Sequence, residues 1–257
     1  MKNIFEKIGE RTTQLIEEMG RIIIFLFNTV VWLFRPPFKL TNTLKQMEVI
    51  GINSVSVVVL TGFFTGAVFS LQTYRGFHQF GAEYLVGYVV ALALTRELGP
   101  VLTALMVTGR AGSLIAAEIG SMKVTEQIDA MEVMAVNPVQ YLIVPRIVAG
   151  MIVVPLLTII ADFVGIIGGY VIVVKFLGQS SVLFWTGIRE NLHVSDCMQG
   201  LEKAIVFGLI LSLIGCYKGY FAEGGAEGVG KATTRAVVIA SVLILIIDYF
   251  MTATFFR

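Results

Sequence analysis

Apolar positions along the chain fall into long runs rather than into strict alternation. Five stretches, 49–71, 84–107, 143–174, 198–217 and 236–256, carry few charges over about the 20 residues that a helix needs to cross a bilayer. They predict five membrane-spanning helices. The third is long enough to tilt or bend, with Pro145 near its start and Pro155, Gly165, Gly168 and Gly169 inside it. A further run, 22–34, is too short to cross, is flanked by Arg21 and Arg35, and ends at Pro36-Pro37. It predicts a helix that lies in the interface or re-enters. Between the second and third runs, Ile128, Met131, Met134 and Ala135 recur at helical spacing, while Lys123, Glu126, Gln127, Asp129 and Glu132 take other faces before Asn137-Pro138. That pattern predicts a short amphipathic helix over about 121–137. The fold class is therefore an all-α integral membrane protein, with an N-terminal cytoplasmic or interfacial helical segment at 1–47 and a five-span domain at 48–257.

Composition agrees with the pattern. Of 257 residues, 56% are hydrophobic and 14% charged, and the mean hydropathy of +0.82 is far above what one soluble core requires. A net charge of +1, without a basic stripe interleaved with aromatics, excludes a nucleic-acid partner. Cys197 and Cys216 stand apart from any CxxC or Cys/His cluster, so neither a disulfide framework nor a metal site is expected. The first 21 residues mix Glu with Lys and Arg and lack an A-x-A site, which speaks against a cleaved signal peptide.

Charge sets the expected orientation. With five spans, one side collects Lys2, Lys7, Arg11, Arg21, Arg35, Lys39, Lys45, Arg110, Lys123, Arg146, Lys218, Lys231 and Arg235, and the other only Arg75, Lys175, Arg189, Lys203 and Arg257. The basic side is the cytoplasmic one. The amino terminus is then expected inside and the carboxyl terminus outside, and the amphipathic helix faces the cytoplasm. Its polar face is mostly acidic and would be repelled by anionic lipid, which favours docking against a cytoplasmic protein over lying on the membrane.

One motif tests whether the chain consumes nucleotide itself. The stretch 225–232, "GAEGVGKA", is one residue short of a P-loop, and "LILIID" ends at Asp248 like an acidic partner strand. A P-loop needs a preceding strand and a Ser or Thr after its Lys to hold magnesium. Here a span precedes it, Ala232 follows Lys231, and Asp248 lies inside the fifth run. No nucleotide-binding site is expected in this chain, and 225–232 reads as a flexible glycine-rich loop leading into the next helix.

Arg96 and Glu97 are the other anomaly. Ionisable groups near mid-span cost on the order of 3 kcal/mol each on insertion scales, and neighbours on a helix point about 100° apart. Pro100 removes the hydrogen bond to the Arg96 carbonyl. Two readings stand: a bent, charged position facing a cavity, or structural ion pairs to another span, including Asp162 or Asp248. Gly62/Gly66 and Gly165/Gly169 have the spacing for close helix approach. His78, His193, Ser195 and Asp196 have neither metal nor triad spacing and read as ordinary loop residues.

The block "RELGPVLTALMVTGRAGSLIAAEIGSMKVTEQIDAMEVMAVNP", then "PRIVAG" and "GVGKATTRAVV", resembles the MlaE family of ABC-transporter permeases from about Ile50 to the carboxyl end. The resemblance implies a permease of the inner membrane of a Gram-negative cell, part of an ATP-driven phospholipid transporter that maintains outer-membrane lipid asymmetry. It implies a homodimer with a lipid-binding cavity, cytoplasmic ABC ATPase subunits that use the ATP and magnesium, a STAS-domain protein and a periplasmic MCE-domain hexamer. This chain would itself bind no cofactor and catalyse no reaction. By the same resemblance, Arg96, Glu97, Phe69, Tyr74, Phe77, Phe80 and Lys203 are the lipid-site candidates, and Glu118, Glu126, Asp129 and Met131 the ATPase-coupling candidates. Two rival readings remain open from sequence: a proton-coupled carrier using Glu97, Asp162 and Asp248 as a relay, and a passive membrane scaffold.

Overall fold

The computed structural model describes residues 4–36 and 39–255. Lys2, Pro37, Phe256 and Arg257 lie outside the described residues, as do the side chains of Lys7 and Arg11. Every regular element among the described residues is helical. Helix α1 is Ile4–Leu33. The long helices are α2 (Leu40–His78), α3 (Glu83–Val124), α5 (Val139–Phe176), α7 (Val194–Tyr220) and α8 (Gly225–Phe255), each long and apolar enough to cross a membrane. Two short helices complete the set, α4 (Gln127–Val133) and α6 (Ser181–Asn191).

The five expected spans are present, but with different ends. At about 1.5 Å per residue, the 42 residues of α3 give a rod about 63 Å long, roughly twice the ~30 Å hydrocarbon core. The second span thus does not stop at Val107; it continues through Arg110, whose guanidinium donates to Ser54 Oγ at 3.1 Å. The single amphipathic helix expected over 121–137 is also corrected. Residues up to Val124 belong to α3, Glu126 turns the chain at φ 60°, only Gln127–Val133 forms α4, and Ala135 turns it again at φ 56°. Ser, Thr and acidic residues at 121–126 satisfy local turns, such as Thr125 Oγ1 donating to the Ser121 carbonyl at 2.8 Å, and that competes with unbroken helix.

Three further stretches differ in extent from the sequence reading. All of the stretch 22–34 but Phe34 belongs to α1, a 30-residue helix; Phe25 is buried and packs edge-on against Tyr217, 5.6 Å between rings. The division at 47/48 falls within α2, which passes through it as a widened turn over Glu48–Ile52. The glycine-rich loop expected at 225–232 is instead the first two turns of α8. Gly224 and Gly225, at φ 89° and 67°, make the reversal before it, a conformation that glycine adopts at no steric cost.

The core forms where α2 packs on α5, α5 on α7, and α7 on α3 and α8. Small residues permit these approaches. A Cβ on Gly66 would fall 1.9 Å from the Gly165 carbonyl oxygen, so the spaced glycines serve packing between α2 and α5 of one chain. α7 is the most enclosed span and α8 the least.

Candidate functional site

Three features stand out, at the widened turn of α3, on the C-terminal half of α2, and beyond the C-terminal end of α3.

The first feature begins with a missing donor. Pro100 has no N–H to give the Arg96 carbonyl, and the helix answers by widening over Leu94–Leu98, with the Gly99 amide donating to the Leu94 carbonyl five residues back. Arg96 and Glu97 leave this turn in different directions. Arg96 Nε and a terminal guanidinium nitrogen donate to Asp196 Oδ1 at 2.9 and 2.5 Å. Asp196 is 1% exposed, and its other oxygen accepts from the His193 amide at 2.9 Å, closing the first turn of α7. Glu97 Oε2 accepts from Lys203 Nζ at 2.5 Å. Lys203, 1% exposed, also donates to Thr252 Oγ1 at 2.6 Å and lies 2.9 Å from Asp248 Oδ1, an ion pair not aligned as a hydrogen bond. Thr252 in turn donates to Glu97 Oε1 at 3.1 Å.

Helix periodicity explains how these groups meet. Asp196 and Lys203 are seven residues apart and share one face of α7; Asp248 and Thr252 are four apart on α8. Gly200, between Asp196 and Lys203, lets α7 touch the α3 backbone: a Cβ there would sit 1.9 Å from the Thr95 carbonyl oxygen. Two cations thereby meet three carboxylates across α3, α7 and α8. Asp162 on α5 stays apart; its Oδ1 is buried without a hydrogen-bond partner, against Gly99, where a Cβ would fall 1.7 Å away.

The second feature is an open apolar groove of about 620 Å³ lined by Phe64, Thr65, Val68, Phe69, Gln72 and Leu98. It lies beside the widened turn, since Leu98 is its α3 wall. Of the aromatic candidates, Phe69 lines the groove and, with Tyr74 and Phe77, packs against a second apolar cluster of Val86, Val90, Leu94, Val173 and Phe184. Phe80 is 83% exposed on the turn after α2. Tyr74 stacks on His78, whose Nδ1 is 2.6 Å from Glu83 Oε1.

The third feature is the hairpin of the α3 end and α4. Ile128 is fully buried and Met131 packs half-buried on the main core, so one face of α4 is anchored inward. Glu126, Asp129, Glu132, Val133 and Met134 remain exposed. Asp129 pairs with Lys123 at 2.6 Å, and Glu132 accepts from the Tyr220 hydroxyl at 3.1 Å. Glu118 sits a turn and a half further back, bonded at 2.8 Å to Arg146, whose guanidinium also donates to the Leu142 carbonyl at 2.9 Å.

Sequence reasoning passed over Asp196 as a loop residue, and did not single out Thr252 or Arg146. The signal for Asp196 was an acid just ahead of an apolar run, the place where acids are enriched in the first turn of a helix.

Comparison with known proteins gives this geometry a family. Residues 43–254 match the family described as Permease MlaE. A protein of Rickettsia felis named a probable ABC transporter permease is 46% identical over 255 residues, 99% of this chain and 98% of that one. The intermembrane phospholipid transport system permease protein MlaE of Haemophilus influenzae is 39% identical over 257 residues, 99% and 98% of the two chains. A chloroplastic protein of Arabidopsis thaliana, TRIGALACTOSYLDIACYLGLYCEROL 1, is 39% identical over 216 residues, 84% of this chain and 62% of its own.

Proposed function

The chain belongs to the MlaE permease family, and from that premise we propose that it is the membrane subunit of an ATP-driven phospholipid transporter in a bacterial inner membrane, working with a separate ATPase. The observation that carries this reading is the likeness, over nearly the whole of both chains, to a permease named for intermembrane phospholipid transport. The groove supplies its physics. A lipid with about 30 acyl methylenes costs roughly 20 kcal/mol to expose to water, at ~0.8 kcal/mol per methylene, so a carrier must offer a continuous apolar wall. Phe64, Val68, Phe69 and Leu98 form such a wall on one side only. A second copy facing it would close a dimeric cavity. The ion pairs beside the groove tie α3 to α7 and α8, so a rigid-body movement of these helices would reshape the Leu98 wall.

Driving force would arrive at the hairpin, where exposed Glu126, Asp129 and Val133 offer acidic and apolar contacts to an ATPase. A STAS-domain protein and a periplasmic MCE-domain ring remain the expected further partners, with outer-membrane lipid asymmetry as the physiological result. The proton-carrier reading lacks a continuous relay, because Glu97 and Asp248 meet at Lys203 while Asp162 Oδ1, on α5, is buried with no hydrogen-bond partner.

Reconstitution tests the proposal. The chain with its co-expressed partners should transfer labelled phospholipid between vesicles only when ATP is hydrolysed, and Leu98→Glu should abolish transfer while the complex still assembles. Transfer by the chain alone under a proton gradient would overturn it.

A further inference from the structure

Between α1, the end of α7 and the start of α8 lies a cavity of about 400 Å³, lined in part by Gly228, Lys231 and Ala232 of the P-loop-like stretch. Its wall is charged with both signs. Lys218 is paired with Glu18 from α1, Arg21 with Glu17 at 3.2 Å, and Lys231 with Glu227 at 2.6 Å. Two lining groups of opposite sign, Arg235 and Glu223, are exposed and have no polar partner among the described residues. Tyr217 and Phe221 add aromatic faces, 5.0 Å apart between rings. A purely anionic ligand would meet the like charge of Glu223. A ligand carrying both a phosphate and an ammonium satisfies both free charges, and the aromatic faces favour the ammonium.

Apolar tracks leave the same cavity. From Arg235, the α8 positions at helical spacing on its face are Val238, Val242 and Leu245, all at least half exposed. On α1, Ile24 follows Glu17 and Arg21 on the cavity's face and is 63% exposed. Charged head site and apolar rails together describe an amphiphile. We propose that this cavity binds the zwitterionic headgroup of an aminophospholipid of the cytoplasmic leaflet, with Arg235 on the phosphate, Glu223 on the ammonium, and the acyl chains along α1 and α8. The cavity is separate from the groove at Leu98 and goes beyond the transport reading without depending on it.

The test uses the full chain in detergent and phosphatidylethanolamine bearing a photoactivatable group at the glycerol end of one acyl chain, so that the headgroup is intact. Cross-links should map within 217–235. Unlabelled phosphatidylethanolamine should compete about tenfold better than phosphatidylglycerol, one charge-assisted contact's worth of discrimination. Glu223→Gln should remove that preference, and Arg235→Gln should weaken both competitors. Both side chains are exposed, so an unchanged thermal midpoint checks that neither variant is misfolded. Cross-links confined to other segments, equal competition by phosphatidylglycerol, a preference that survives Glu223→Gln, or displacement by inorganic phosphate or phosphoethanolamine as strongly as by intact lipid would each overturn the site. Cross-linking in 217–235 by a chain that moves no lipid would leave it standing while the transport reading failed.

Discussion

Lys203 is a tightly enclosed charge: 1% exposed, flanked by Glu97, Asp248 and Thr252. Removing one partner of a buried ion pair typically costs about 3–5 kcal/mol, because the opposite charge is left uncompensated. Lys203→Met leaves two carboxylates facing one another and should lower stability by less than that full amount, because the Glu97 side chain is 37% exposed, read as the thermal midpoint of the purified chain in detergent. Adding Glu97→Gln and Asp248→Asn should recover most of the loss; no recovery would mean that Lys203 acts through packing rather than charge. This arrangement was half legible in sequence. Charges inside apolar runs announce themselves, so Arg96, Glu97, Asp162 and Asp248 were visible as anomalies. Their pairing was not, because it depends on how closely α7 approaches α3, and that distance is set by Gly200 against the Thr95 carbonyl. Asp196 escaped for another reason: at a helix start, an acid is ordinary.

Among the elements, the hairpin holds two non-glycine residues, Glu126 and Ala135, in the left-handed region at φ 60° and 56°. For ordinary side chains that conformation costs of order 1 kcal/mol or more. Ala135→Gly should therefore slow hydrogen exchange across α4, and faster exchange would show that chain entropy outweighs the strain. The acidic edge makes a different prediction. Glu126→Lys with Asp129→Lys reverses charge on exposed positions, so folding should be unaffected while co-purification of the proposed ATPase partner is lost; retained ATPase and lipid transfer would remove the hairpin from the proposed coupling role. Sequence pattern found this element but misjudged its length. Periodicity of Ile128 and Met131 reports which face is buried, whereas the breaks at Glu126 and Ala135 come from backbone turns that carry no glycine or proline to mark them. Where such marks exist, at Pro100 and at Gly224-Gly225, the irregularity falls where the residues put it.

For the whole molecule, the decisive quantity is the apolar surface that one chain leaves uncovered. On α2, Val57, Leu60, Phe64 and Val68 recur at helical spacing and are 37% to 60% exposed, forming a stripe that runs into the groove beside Leu98. Lipid tails solvate such a stripe as well as protein does, so hydrophobicity alone does not bring two chains together in a membrane. Association there has to come from shape, and one wall of a groove is the shape that a two-fold partner completes. Two copies facing across the grooves would place the Val68 positions on opposite walls of one cavity. With Cys197 and Cys216 replaced by Ser and Ala, Val68→Cys should therefore be joined between copies by a short bis-maleimide in native membranes. Extra phospholipid bound in the cavity should reduce the yield, since it stands between the two thiols. Failure to cross-link Val68→Cys at any lipid level, with the protein folded and the thiol reactive toward a monofunctional maleimide, would separate the groove from the dimer interface and leave the stripe as a surface for lipid alone.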